Sequence, residues 1–511
     1  MSAMTERLRA TMGIAPDDVQ IEHEGKSYSR GQVAAVAAGI ERLLAELSLP
    51  AEARVGVLLR NRPAHVAAIG AVLGSDRCLV TVNPILPAET LLAEIARAAL
   101  PVMIAEEEDI ARPGAMEAAM RAGTAVIALA PGLAGARLLI APPREAKADD
   151  VRPGVAVEML TSGTTGTPKR VPLTRAAFEA SFAGIAPYER RGASAENATP
   201  RPASGIAIVS NPLTHIGGLY GVIGALMAGR AMVLLEKFSV DSWVETIRRH
   251  RPKVAGAVPA AVRMLLEAEI DPADLSSLSA VICGTAPIAP ELIDAFHDKY
   301  GIPILCNYGA TEFAGGVAGW SLPDFRAHWR EKFGSVGRIH GNVDARIVDS
   351  DTGAPLAAGE EGLLELRGDQ LGPRYRRGEG EWLRTTDRAM LDADGFLFIR
   401  GRADNAIIRG GFKVHPDDVI AALHQHPAVR EAAVVGVEDA RLGAVPAAAV
   451  IVKAGAAAPS EDELRQWLRE RLIAYQVPAH IRFVDDFPRT PSLKPAAAGV
   501  RALFENAVAA H

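Results

Sequence analysis

The stretch Thr161-Ser162-Gly163-Thr164-Thr165-Gly166-Thr167-Pro168-Lys169 sets small hydroxyl residues and glycines ahead of a lysine, directly after the apolar-rich run Val155 to Leu160. It reads as a strand running into a phosphate-binding loop. Glycines let backbone N–H groups close on a polyanion, the hydroxyls add donors, and Lys169 brings a positive charge that can follow a leaving pyrophosphate. A Walker-type loop would end in Gly-Lys-Ser/Thr; Pro168-Lys169-Arg170 stands here instead, and that pattern fails. The bland reading, a flexible surface linker, explains neither the strand before the loop nor the lysine after it.

A second run, Asn307-Tyr308-Gly309-Ala310-Thr311-Glu312, follows the apolar segment Ile302 to Cys306, at a point where parallel sheets tend to bind ligands. The Tyr308 ring can stack on a purine, the Thr311 hydroxyl can bond a phosphate oxygen, and the Glu312 carboxylate can hold Mg2+, a cation that prefers oxygen ligands. Taken singly, Tyr308 also reads as a core aromatic, and Glu312 as an acid favoured by a helix N-terminus.

The elements that must position these runs alternate. Apolar residues recur at helical spacing from Gly31 to Leu49, Arg54 to Leu59 reads as a buried strand, and Ala64 to Leu73 as another helix. The alternation continues through strand-like Ala125 to Leu129, Ile206 to Val209, Ala231 to Leu235, Val254 to Val258, Ala280 to Cys283 and Ile302 to Cys306. This predicts α/β layers with much of the sheet parallel. From about Val336 short strands separated by Asp/Gly turns predict a smaller β region, and after Arg402 a compact α/β tail follows, with a helix over Ser460 to Ile473. The domains are therefore expected at 1–402 and 403–511.

Composition bounds the function. At 511 residues the chain exceeds one core, and 49% apolar against 23% charged residues marks it as globular. A net charge of -6, with no basic stripe, argues against nucleic acid. Cys78, Cys283 and Cys306 lie too far apart for a disulfide framework or a zinc site, and no stretch has about 20 uninterrupted apolar residues. A cytoplasmic protein without a membrane span is the expectation; a homodimer is compatible with it.

With both runs in hand, the chain resembles the adenylate-forming enzymes, which include acyl-CoA ligases, beetle luciferases and peptide-synthetase adenylation domains. Pro212-Leu213-Thr214-His215-Ile216-Gly217-Gly218, Gly284-Thr285-Ala286-Pro287, Thr385-Thr386-Asp387, Gly401-Arg402-Ala403-Asp404, Gly410-Gly411 and Thr490-Pro491-Ser492-Leu493-Lys494 match in the family's order. The resemblance implies a large N-terminal domain and a small mobile C-terminal one. It also implies that Asp387 grips the ribose hydroxyls beside Arg402, and that Gly284, Thr285, Ala286, Asn307, Tyr308, Gly309 and Thr311 line the nucleotide site with the Thr161 loop. Thr161 and Glu312 would face Mg2+. His215 would line the acyl pocket, with Val258 to Ala261 and Ala314 to Val317 nearby. Asp404 would be the hinge, Gly410-Gly411 the passage for pantetheine, and Lys494 the lysine that stabilises the charge gathering during adenylation.

Three departures stand out. The family usually has glycine where Thr386 and Leu493 stand and no proline at position 495, and Thr214 occupies a position that is often aromatic. The implied activity is an ATP-dependent acyl-CoA ligase for a fatty or aromatic acid, with ATP, Mg2+ and coenzyme A. The alternatives are an adenylation enzyme loading a carrier protein and a catalytically weakened ATP-binding homologue.

Overall fold

The computed structural model describes residues 2–142, 147–161, 169–185, 202–439, 441–490 and 493–508, with only the backbone of Thr161 and of 505–508. Four sheets and their helices make up the described chain. A seven-stranded sheet runs in the order Ala136–Ile140, Ala125–Leu129, Val102–Glu106, Arg54–Leu58, Cys78–Val82, Val155–Thr161 and Lys169–Thr174. Its interior pairings are parallel and its two outermost strands antiparallel. Strands such as Arg54–Leu58 and Val102–Glu106 are buried along their whole length, which explains their continuous apolar runs.

A nine-stranded sheet carries the second run. It begins with parallel Val254–Ala257, Ala280–Cys283 and Ile304–Ala310, then continues antiparallel through Gly315–Gly319, Gly337–Ile339, Phe396–Arg402, Leu383–Leu391, Glu361–Gly368 and Val343–Val348. The β region expected after Val336 is therefore an extension of the sheet that holds Tyr308. A four-stranded sheet, built from Ile206–Val209, Ala231–Leu234, Val19–His23 and Lys26–Ser29, completes the large N-terminal part.

After Arg402 a 3-10 turn, Ala403–Asn405, leads into a separate five-stranded sheet formed by Phe412–Val414, Ile407–Arg409, Gly443–Val452, Val429–Asp439 and His480–Phe483. Its faces pack on their own apolar clusters, one around Leu423, Val434 and Leu464, the other around Val435, Ala447 and Phe504. Among the described residues no helix is long and apolar enough to cross a membrane.

Two local expectations shift. The strand expected over Ile302 to Cys306 runs instead over Ile304–Ala310, so Asn307 to Ala310 lie inside it. Pro303 has no N–H for the ladder, although its carbonyl accepts from Val281 N at 2.9 Å, and pairing is carried on from Ile304. The helix expected over Ser460 to Ile473 covers only Glu461–Arg469; its start is fixed by a Ser460/Glu463 capping box. At its end the Arg471 and Leu472 N–H groups both donate to the Leu468 carbonyl, at 3.0 and 2.8 Å, which tightens the last turn and closes the helix.

Candidate active site

Strand Ile304–Ala310 turns through the 3-10 segment Thr311–Phe313 into Gly315–Gly319. A Cβ on Gly309 would sit 2.3 Å from the Gly315 carbonyl, a backbone clash that only glycine avoids, and one on Gly316 would lie 2.3 Å from Asn307 Oδ1 and displace that side chain. Thr311 and Glu312 thereby occupy its tip, with Glu312 exposed.

Tyr308 O–H donates to Asp387 Oδ2 at 2.5 Å. Asp387 stands on Leu383–Leu391 in register with Arg402 on the neighbouring strand. Arg402 donates to Thr386 Oγ1 at 2.6 Å and, through Nε and Nη2, to both Asp404 carboxylate oxygens at 2.9 and 2.8 Å. Thr386, where the family usually has glycine, thus orients the arginine. Burial raises the Asp387 carboxyl pKa against the opposing pull of the Tyr308 hydrogen bond and the Arg402 charge, and burial beside Asp387 holds the Tyr308 phenol well above its ordinary range.

Lys494 reaches this cluster from the far end of the chain. Burial, and then the charge of Arg402, push its ammonium below the ordinary lysine value. His215 is pushed down by burial and then by Lys494, and its Nε2 is buried with no hydrogen-bond partner among the described residues, so it stands as a neutral imidazole. The Glu312 and Asp387 charges both act on Arg402. Tyr308, Glu312, Asp387, Arg402, Lys494 and His215 therefore share one electrostatic neighbourhood.

His215 caps the helix Ile216–Ala228. The loop before it is fixed by Asn61, a 4% exposed residue whose Nδ2 donates to the Asn211 and Leu235 carbonyls and whose Oδ1 accepts from Leu213 N, each at 3.0 Å. The sequence gives no signal for Asn61 beyond its place after a buried strand. The loop after Ala280–Cys283 approaches from the side: a Cβ on Gly284 would lie 3.1 Å from the Asn307 carbonyl, and one on Gly217 3.1 Å from Thr285 Cγ2. Thr285 is held at φ 70°, and Ala286 follows it half-buried. Behind the hairpin, Gly315 faces Ser181 and Tyr220, whose hydroxyls are 3.1 Å apart, and Tyr220 stacks on Phe182 with centroids at 4.3 Å. Ala261 packs in the core with Trp243 and Phe296, with Val258 against it.

Lys169 is exposed at the start of its strand, paired with Thr161 across the hairpin. Ser162, Gly163, Thr164, Thr165 and Gly166, with Thr167 and Pro168, lie outside the described residues, as do the Thr161 side chain, Pro491 and Ser492. Gly410 and Gly411, at φ 55° and 90°, form the exposed tip between Ile407–Arg409 and Phe412–Val414, where Gly410 N donates to the Leu442 carbonyl at 2.8 Å. For Mg2+, the exposed Glu312 oxygens fit a hard cation, and Arg402 close by suits the phosphates such a cation would accompany.

Residues 8–376 match the family described as AMP-binding enzyme, and residues 419–494 its C-terminal domain, ending at Lys494. The chain is 30% identical to a feruloyl-CoA synthase of Amycolatopsis sp over 96% of its own length and 97% of that protein. It is 28% identical to 4-coumarate–CoA ligase 5 of Oryza sativa subsp. japonica, over 92% and 88% of the two chains. Among solved structures, the amide bond synthetase McbA of Marinactinospora thermotolerans superposes with a TM-score of 0.80 at 30% identity, covering 98% of this chain and 100% of that one. With motifs in order and matches along nearly the whole chain, the protein belongs to the AMP-binding, adenylate-forming enzymes and resembles their acyl-CoA ligases.

Proposed function

We propose that the protein is an AMP-forming ligase that activates an aromatic carboxylic acid as its acyl-adenylate and passes the acyl group to coenzyme A. The observation that carries this reading is that the buried Lys494 ammonium lies within electrostatic reach of both Arg402 and His215, so the nucleotide-facing and acyl-facing groups are neighbours of one lysine. The aromatic assignment rests on the feruloyl-CoA and 4-coumarate–CoA relatives.

In the first half-reaction a carboxylate oxygen attacks the α-phosphorus of ATP, and the bond to pyrophosphate breaks. Asp387 would accept the two ribose hydroxyls, releasing the phenol of Tyr308 to lie along the adenine; Arg402 and Lys494 would neutralise charge on the α-phosphate and the carboxylate. Mg2+, when bound, would neutralise the phosphates, with Glu312 holding it and Thr161 as the second candidate ligand. In the second half-reaction the thiol of coenzyme A attacks the acyl carbon and AMP leaves. Gly410-Gly411 are exposed in the present orientation, whereas Lys494 is seated. This supports a boundary after Arg402 and a turn of 403–511 about Asp404 between the steps.

Leu493 holds φ 63°, the backbone that glycine would provide at this position, which favours a working enzyme over a weakened homologue. The likeness to an amide bond synthetase supports a second reading, in which an amine replaces the thiol. The test is an assay with MgATP and a panel of hydroxylated arylpropenoic, benzoic and fatty acids, offering coenzyme A or an amine. Thioester formed best from the arylpropenoic acids supports the proposal; amide without thioester favours the second reading; turnover of fatty acids alone refutes the aromatic assignment.

A further inference from the structure

The turn that presents Lys494 is held from below by one side chain. Arg489 forks onto Glu431 with Nη1 to Oε1 at 3.1 Å and Nη2 to Oε2 at 2.9 Å. It also bonds Asp486 Oδ1 through Nε and Nη2 at 3.0 and 2.7 Å, and its Nη1 donates to the Leu493 carbonyl at 3.1 Å. That carbonyl belongs to the peptide plane that carries the Lys494 N–H, so fixing one fixes the other. Thr490 closes the turn: its hydroxyl accepts from Lys494 N at 3.2 Å, and its own N–H donates to the Lys494 carbonyl at 2.8 Å. Thr490 lies within the turn, whereas Arg489 ties it to the core strand Val429–Asp439.

The next residue of that strand toward its start meets the large N-terminal part. The Arg430 carbonyl accepts from Arg263 Nη1 at 2.6 Å, and Arg430 Nε lies 3.0 Å from Glu267 Oε1, both partners on the helix Pro259–Glu267. Docking on that helix and the backbone of Lys494 are therefore joined through adjacent residues, Arg430 and Glu431.

We propose that Arg489 is the positioning residue of Lys494, setting the lysine for adenylation by clamping the Leu493 carbonyl to Glu431. The proposal rests on the reading of Lys494 as the adenylation lysine. A clamp with this role matters only while Lys494 is used. A merely stabilising ion pair would instead weaken both half-reactions alike.

The experiment compares Arg489→Lys, Arg489→Ala and the isosteric Glu431→Gln with wild type and Lys494→Ala. Acid-dependent pyrophosphate exchange reads adenylation, and thioester formation from a supplied acyl-adenylate reads the second half-reaction. Arg489→Lys keeps a charge for Glu431 but loses the fork that reaches Leu493. Adenylation should fall by about tenfold in Arg489→Lys and about a hundredfold in Arg489→Ala, the scale of an ångström's misplacement, in kcat with KM for ATP nearly unchanged. Thioester formation should stay within about twofold. If Lys494→Ala abolishes adenylation but the three clamp variants leave it within about twofold, or reduce both half-reactions equally, the clamp is refuted and the functional reading stands. If adenylation survives Lys494→Ala, that reading of Lys494 fails and takes the clamp with it. Should Arg489→Ala not fold, Arg489→Lys and Glu431→Gln decide alone.

Discussion

Leu493 offers a test in which backbone geometry alone sets the sign. It holds φ 63° immediately before Lys494, a conformation that costs an L-residue about 1–2 kcal/mol. Its half-buried side chain adds some apolar contact, so Leu493→Gly alone would mix lost packing with relieved strain. Comparing Leu493→Gly with Leu493→Ala cancels the packing, since both lose the side chain. Glycine at an ordinary site is about 0.5–1 kcal/mol worse than alanine because it frees the unfolded chain. Here relief of the left-handed strain outweighs that cost, and the glycine variant should be the more stable by about 0.5–1 kcal/mol in denaturant unfolding. If the same strain opposes seating of Lys494, adenylation by Leu493→Gly should exceed that of Leu493→Ala by about twofold to fivefold, since roughly 1.4 kcal/mol is a factor of ten. Equilibrium urea unfolding and pyrophosphate exchange on the two variants supply the numbers. An alanine variant both more stable and faster than the glycine variant would refute the reasoning.

The lowered Lys494 pKa predicts that adenylation declines as pH rises through a value below the ordinary 10.5, because the neutral amine cannot meet the transition-state charge; single-turnover rates should show this limb in adenylation and lack it in thioester formation. Asp404→Pro fixes φ at about −65° and restricts Ala403, and should preserve adenylation far better than thioester formation, with Asp404→Ala as the control for the lost pairing to Arg402; equal retention of both activities would remove the hinge from Asp404. His65, His340 and His424 are held neutral by burial, at about 3, about 4 and about 4, against 6.5. Unfolding therefore takes up protons below pH 6.5, and stability present above that value should be lost as pH falls toward 4, at up to about 1.4 kcal/mol per pH unit for each histidine; a melting temperature flat from pH 7 to 5 would contradict it.

Much of the candidate site is legible in the sequence because the chemistry proposed for it depends on residue type. Tyr308 is legible from its own run and Asp387 and Arg402 from motif order; a hydrogen bond joins Tyr308 to Asp387, and a strand register pairs Asp387 with Arg402. The alternation of apolar runs gave the α/β class, since fully buried strands and amphipathic helices bear different periods. Asn61 and Arg489 escaped notice because each works by holding backbone carbonyls, and neither a lone asparagine nor an arginine after a proline advertises such partners. The start of the strand at Ile304 turned on Pro303 at the edge of the ladder, and the early end of the helix at Arg469 on a tightened last turn in which Arg471 and Leu472 share the Leu468 carbonyl. Thr386 and Leu493, read as departures from pattern, proved to be accommodated by a hydrogen bond to Arg402 and by a left-handed backbone.

The central claim is that the acid's own carboxylate oxygen becomes bonded to the α-phosphorus. Turnover of an arylpropenoic acid labelled with 18O in both carboxylate oxygens, with MgATP and coenzyme A, followed by mass spectrometry of the nucleotide, reads that bond directly. One 18O in each AMP, with pyrophosphate released in equal amount, is the predicted result. Unlabelled AMP, or ADP with label in inorganic phosphate, would contradict the account.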